Sequence, residues 1–183
     1  LSNNNITCKA VITELGGQID IEKGLQQAID ANDSIGGIIE CKITGLPVGL
    51  GEPFFDSVES MISHAVFSIP AIKGIEFGAG FAASKMKGSE HNDALENESG
   101  KTATNHAGGI VGGLSNGNEM VFRVAVKPTS STPKEQHSLN METGKMEDFS
   151  VSGRHDLCIA LRVPVVLEAV AAMVMADLLL MEN

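Results

Sequence analysis

The sequence predicts an α+β fold, in which strands and helices alternate without a regular βα repeat. Three observations predict it. Residues 39–43 and 121–126 alternate apolar and polar side chains, the two-residue period of a half-buried strand. Residues 21–31 and 54–66 place apolar side chains at helical spacing, and residues 163–181 are apolar almost throughout. Between these segments, strand and helix follow one another in no fixed order.

Residues 6–11 read as a short strand, and residues 21–31 as a helix with Ile21, Leu25, Ala28 and Ile29 on one face. In the next strand Ile39, Cys41 and Ile43 point one way, Glu40 and Lys42 the other. Residues 46–53 form a loop dense in Gly and Pro. Pro53 suits the first position of a helix, where a missing N–H costs nothing. Phe54, Val58, Met61, Ile62, Ala65 and Val66 continue that helix, with Asp56 and Glu59 at its positive end. Residues 71–78 read as a strand in which Ile72 and Phe77 are not in simple register, and Gly78-Ala79-Gly80 turns it. Residues 82–105 are a long polar loop, a kind of segment that often carries function. A Gly-rich apolar stretch follows at 107–114, then the strand 121–126, an irregular segment 127–140 and a polar turn at 152–156. The last helix opens at Pro164 and ends near Met181. Residues 1–183 are expected to form a single domain, and the start at Leu1, already strand-like, to be a cut from a longer protein.

Composition narrows the function. A formal net charge of -10 argues against a general nucleic-acid binder, which needs clustered Lys and Arg. It leaves room for an anionic small molecule bound by a few converging cations. Cys8, Cys41 and Cys158 have neither disulfide nor metal spacing, which fits a reduced, cytoplasmic setting. The apolar stretch 163–181 contains Pro164, Glu168 and Asp177 and is expected to be a buried helix, not a membrane span.

Three segments could carry chemistry. The pairs in Gly108-Gly109-Ile110-Val111-Gly112-Gly113 allow a ligand close to the backbone, though paired glycines also mark turns and tight strand contacts. Lys127-Pro128-Thr129-Ser130-Ser131 offers one cation and several hydroxyls, a set suited to phosphate, and it would also serve as an ordinary loop. In Gly153-Arg154-His155-Asp156, Arg154 supplies a planar fork for phosphate or carboxylate and Asp156 a possible acid or base; a solvated turn with an ion pair has the same sequence. No P-loop or Gly-x-Gly-x-x-Gly fingerprint is present, and the five histidines lack metal-ligand spacing.

These segments, together with Asp33-Ser34-Ile35-Gly36-Gly37, Gly49-Leu50-Gly51-Glu52-Pro53, Ala71-Ile72-Lys73-Gly74-Ile75-Glu76-Phe77-Gly78, Gly88-Ser89-Glu90-His91-Asn92-Asp93 and Asn105-His106-Ala107, resemble successive blocks of the chorismate synthases, in that family's order. The resemblance runs from about Gly36 to the last helix. It implies the C-terminal half of such an enzyme, a lyase of the shikimate pathway and aromatic amino acid biosynthesis. The reaction it implies is the 1,4-elimination of phosphate from 5-enolpyruvylshikimate 3-phosphate to give chorismate. It also implies a requirement for reduced FMN, reduced with NADPH by the protein itself or by a separate reductase, and a homotetramer of chains folded as a β-α-β sandwich. Carried over by motif, flavin contacts fall on Pro70, Ala71, Gly112, Lys127, Pro128, Thr129, Ser130, Ser131 and Arg154, and Asp156 is the acidic residue of the proton relay. Leu157 stands where the family usually has Pro, and Pro70 where Asn is common. The family's two catalytic histidines and several substrate-binding arginines belong to the N-terminal half and map onto none of the histidines here. A non-catalytic flavin- or anion-binding module is the alternative reading.

Overall fold

The computed structural model describes residues 5–181. Its centre is a four-stranded antiparallel sheet in the order β1-β2-β6-β3, formed by β1 (Thr7–Leu15), β2 (Gly37–Thr44), β3 (Ile72–Phe77) and β6 (Met120–Val126). The alternation that predicts β2 and β6 is borne out. Ile39, Cys41, Ile43, Met120, Phe122 and Val124 are fully buried on one face. Helices α1 (Ile21–Ala31), α2 (Val58–Val66) and α4 (Val163–Met181) complete the main frame. The buried residues of α2 and α4 join those of the sheet in one core, which includes Val58, Ile62, Val66, Leu167, Ala171 and Met175.

Where the expected patterns slip, the cause is local. In β3 the pairing with β6 shifts between Ile72 and Gly74, so that Lys73 is an extra residue. Such a bulge lets residues of opposite parity share one face, and Phe77 pairs with Phe122 although it lies five positions after Ile72. A similar shift between Ile12 and Glu14 allows β1 to run on to Leu15, past the expected end at Val11. Helix α1 has the expected bounds, capped by Asp20, whose carboxylate accepts from Lys23 N at 3.1 Å. Its buried positions are Gly24 and Ala28, and Ile29 is 56% exposed. Helix α2 starts later than Pro53 implies. A single 3₁₀ turn spans Phe54–Asp56, and Ser57 caps the helix by accepting from Ser60 N at 3.2 Å. Phe54 and Phe55 are consequently left 88% and 92% exposed.

The other face of the sheet carries an ion-pair network among apolar neighbours such as Val11, Ile38 and Ala125. Arg123 Nε donates to Glu76 Oε1 at 2.8 Å, its Nη2 to Gly78 O at 2.7 Å, and Nη1 lies 3.5 Å from Glu40 Oε2. The long polar segment contains a 3₁₀ turn (Gly80–Lys85) and α3 (Gly88–His91), and the Gly-rich stretch folds into the small ladder β4 (Ile110–Val111) and β5 (Leu114–Ser115). Within the segment expected to be irregular, Gln136–Asn140 is a strand, β7, which pairs with β8 (Lys145–Phe149) as a separate two-stranded sheet. Helix α4 is the one described helix long and apolar enough to cross a membrane. Here it packs against β1 and α2, and Glu168 Oε1 accepts from Ala10 N at 2.8 Å.

Candidate functional site

Strand β6 ends at Val126 and runs directly into the Lys127–Ser131 loop. Lys127 N donates to Ala71 O at 2.9 Å, which continues the sheet by one bond and sets Pro70-Ala71 beside that loop. Ala71 holds a φ of 73°, costly for a residue with a side chain and found most often where function demands it. Asp33-Ser34 closes the loop from the other side. Ser34 Oγ donates to Thr129 O at 2.6 Å, and Thr132 Oγ1 donates to Asp33 Oδ1 at 2.9 Å. The hydrogen bond from Ser34 N, then that from Thr132, holds the Asp33 carboxyl below its usual range, with Lys134 at 3.7 Å adding to the effect.

The Gly153–Asp156 turn meets the same place. Ile35 N donates to Leu157 O at 3.0 Å, fastening the turn to the Asp33-Ser34 segment. His155 Nδ1 lies 2.7 Å from Ser131 Oγ and Nε2 2.8 Å from Val151 O. Asp156 Oδ1 accepts from Arg162 at 2.7 Å, so its ion pair is with Arg162 and not with neighbouring Arg154. Together Asp33, Ser34, Ser131, Thr132, Gly153, His155, Asp156 and Leu157 help line a cleft of about 330 Å³, toward the small end for ligand sites. Lys127 and Arg154 are exposed and have no side-chain partner among the described residues. The Thr129 hydroxyl oxygen is buried without a hydrogen bond to any described residue.

Gly112 lies elsewhere. It lines a second cleft, of about 940 Å³, with His91, Asp93, Thr102, Val111 and Asn118 among its neighbours. Asp93 organises that wall by accepting from His106 N at 2.8 Å, Ala107 N at 2.9 Å and Thr104 Oγ1 at 2.7 Å. Burial pushes its carboxyl up, yet these hydrogen bonds outweigh it and hold the group below its usual range. The paired glycines divide by role. A Cβ on Gly109 would meet Glu119 O at 2.6 Å, whereas one on Gly112 would meet nothing within 4 Å. The first serves backbone packing, and the second leaves its face open.

A family model described as chorismate synthase matches residues 5–180. The chain belongs to the chorismate synthase family. A chorismate synthase of Chitinophaga pinensis is 73% identical over 178 residues, which is 97% of this chain and 54% of the relative. One from Dehalococcoides mccartyi is 42% identical over 182 residues, 98% of this chain and 49% of the relative. A crystal structure of a chorismate synthase superposes with a TM-score of 0.76 at 26% identity, covering all of this chain and 59% of that one. The α+β architecture is therefore that of a solved chorismate synthase, and the chain spans about half the length of the curated relatives it matches.

Of the residues assigned from the chorismate synthase motifs, Ser131 and Asp156 share the first cleft, Thr129 adjoins it through the bond from Ser34 to its carbonyl, Lys127 is bonded to Ala71 outside its lining, and Gly112 belongs to the second. The polar residues Asn32, Asp33, Ser34, Thr132 and His155 also line the first cleft and were missed as site residues. Asp33-Ser34 had a signal, since it opens one of the family-like blocks. Thr132 had none, because its role depends on a partner 99 positions away.

Proposed function

We propose that this chain is the C-terminal part of an enzyme that converts 5-enolpyruvylshikimate 3-phosphate to chorismate by eliminating phosphate, with reduced FMN as the required cofactor. The observation that carries the proposal is the convergence, in a member of the chorismate synthase family, of Ser131, His155 and Asp156 on one cleft. The residues suit an anionic flavin. Among the described residues the buried Thr129 hydroxyl lacks a partner and Lys127 and Arg154 are unpaired cations, and the cleft carboxylates Asp33 and Asp156 are offset by Lys134 and Arg162.

Reduced FMN, when bound, supplies an electron-rich ring beside the substrate. Lys127 and Arg154 offset the charge of bound phosphate, an effect that grows as water is excluded. Asp156 Oδ1 is held by Arg162, and Oδ2 is left to take or give a proton. Pro70, Ala71, Pro128 and Ser130 complete the proposed flavin surface, with Gly112 reached from the second cleft. The uncovered apolar side of α4, with Val165, Met173 and Leu180 exposed, suits a helix meant for burial, and the remaining half of the family's length is proposed to cover it. A homotetramer, reduction of the flavin with NADPH and a cytoplasmic location belong to the same proposal.

The test is anaerobic phosphate release by the full-length protein with reduced FMN. Asp156→Ala is expected to slow release by about 10²- to 10⁴-fold, the usual contribution of a general acid or base, while flavin binding persists. Unchanged turnover would remove Asp156 from the proton relay.

A further inference from the structure

The Val151 carbonyl can only accept a hydrogen bond, so His155 Nε2, 2.8 Å away, carries a hydrogen whether the ring is neutral or charged. The remaining nitrogen, Nδ1, lies 2.7 Å from Ser131 Oγ. In the neutral ring Nδ1 is a lone pair, and the Ser131 hydroxyl spends its only hydrogen on it. The serine then offers lone pairs alone to anything in the cleft. In the imidazolium, Nδ1–H donates to Ser131 Oγ, and the hydroxyl hydrogen is released. We propose that His155 and Ser131 form a proton-linked anion contact, in which protonation of His155 turns Ser131 into a donor for an anionic oxygen bound in the cleft. This rests on the reading of the cleft as the flavin and substrate site.

The surroundings favour the coupling. The other titratable groups lining the cleft are Asp33 and Asp156. Asp33 is engaged by Ser34 N, Thr132 Oγ1 and Lys134, and Asp156 by Arg162. On the β7–β8 hairpin, which leads to Val151, Asp148 pairs with His137. Lys127, in the loop of Ser131, and Arg154, beside His155, remain as cations without partners among the described residues. An anion drawn to them stabilises the imidazolium, and the imidazolium strengthens the contact to the anion, so each binding event favours the other equally. The anionic oxygen could belong to the flavin phosphate or to the phosphate of the substrate, and the chemistry of the contact is the same.

The experiment is calorimetric titration of the full-length protein with FMN, riboflavin and sulfate between about pH 5 and 8, in buffers of different ionisation enthalpy. Wild type is expected to take up a proton as the anion binds and to lose affinity as pH rises, by at most about tenfold per pH unit. His155→Gln and Ser131→Ala are expected to abolish that part of the dependence, and Ser131→Thr, which keeps the hydroxyl, to retain it. Ionisation of the FMN phosphate is common to all variants and cancels, and sulfate does not titrate in this range. A linked proton with FMN but not riboflavin supports the contact and assigns it to the flavin phosphate; a linked proton with sulfate alone supports it and assigns it to the substrate. FMN binding with the same pH dependence in wild type, His155→Gln and Ser131→Ala overturns the proton link and leaves the flavin reading standing. A protein that binds sulfate with a linked proton but no FMN overturns the flavin reading and leaves the link.

Discussion

The two clefts are built from different materials. Around Ser131 and His155, side chains do the joining: Ser34 to Thr129, Thr132 to Asp33, Ser131 to His155, Asp156 to Arg162. Around Gly112 the backbone does more of it, with Gly108 N donating to Asn105 O and Asn116 N to Gly109 O, and Asp93 binding main-chain N–H groups. The first cleft is small and crowded with groups that can change protonation or donate. The second is larger and shaped by close backbone approach. The difference teaches that one family motif set can serve two ends. In the first cleft its polar residues are available to a ligand, while in the second most of its glycines are consumed by the fold.

Gly109→Ala tests this most strongly. Gly109 has a φ of 81°, and an added Cβ would lie 2.6 Å from Glu119 O. Backbone strain and overpacking together are expected to cost about 3 kcal/mol or more, read as a lower urea midpoint of the full-length protein. An unshifted midpoint would show that this wall yields, and the contrast between the clefts would weaken. Arg154→Ala should do the opposite. With no partner to lose among the described residues, the fold keeps its midpoint, while FMN affinity is expected to fall by about tenfold, the size of one charge-assisted hydrogen bond. A shifted midpoint with unchanged affinity would take Arg154 out of the flavin set.

Asp93 tests the second cleft by pH. Its folded carboxyl titrates below its usual range, because hydrogen bonds from Ala107, Thr104 and His106 outweigh burial. A depressed carboxyl contributes stability that is present above the unfolded value, near about 3.9, and is lost as pH falls through the folded one. Wild type is therefore expected to lose more stability below about pH 4 than Asp93→Asn, which starts about 1 kcal/mol lower at neutral pH for its weakened acceptor. Thermal melts of both proteins across that range check it, and parallel curves would show that Asp93 is not an anchor of this wall.

Strands β2 and β6 were legible because one face of each is fully buried, so their alternation is clean. The β7–β8 hairpin was not. Its strands keep polar residues on both faces, since neither face joins the main core and no pattern is imposed. The bulge at Lys73 was visible only as a misfit between Ile72 and Phe77, and its cause required the partner strand. In the site, residue types suited to an anion were legible in Lys127–Ser131 and Arg154. Their division between clefts was not, because it depends on contacts such as Ser34 to Thr129, 95 positions apart. The partner of Asp156 was likewise hidden, since Arg162 lies six positions on, beyond the motif.

Gly112→Ala has the smallest expected effect on the fold and separates the clefts most finely. Gly112 has a φ of 64°, but a Cβ there would meet nothing within 4 Å. Only the left-handed backbone opposes the substitution, at about 1 kcal/mol, so the urea midpoint should move far less than with Gly109→Ala. Flavin affinity is then an independent readout. If a flavin bound to the full-length protein reaches the second cleft, the added methyl intrudes on it, and FMN weakens while the fold stays nearly intact. If FMN affinity is unchanged while Arg154→Ala lowers it, the flavin is confined to the Ser131–His155 cleft. Gly112 would then be a turn residue of the β4–β5 ladder, and the second cleft would need another occupant.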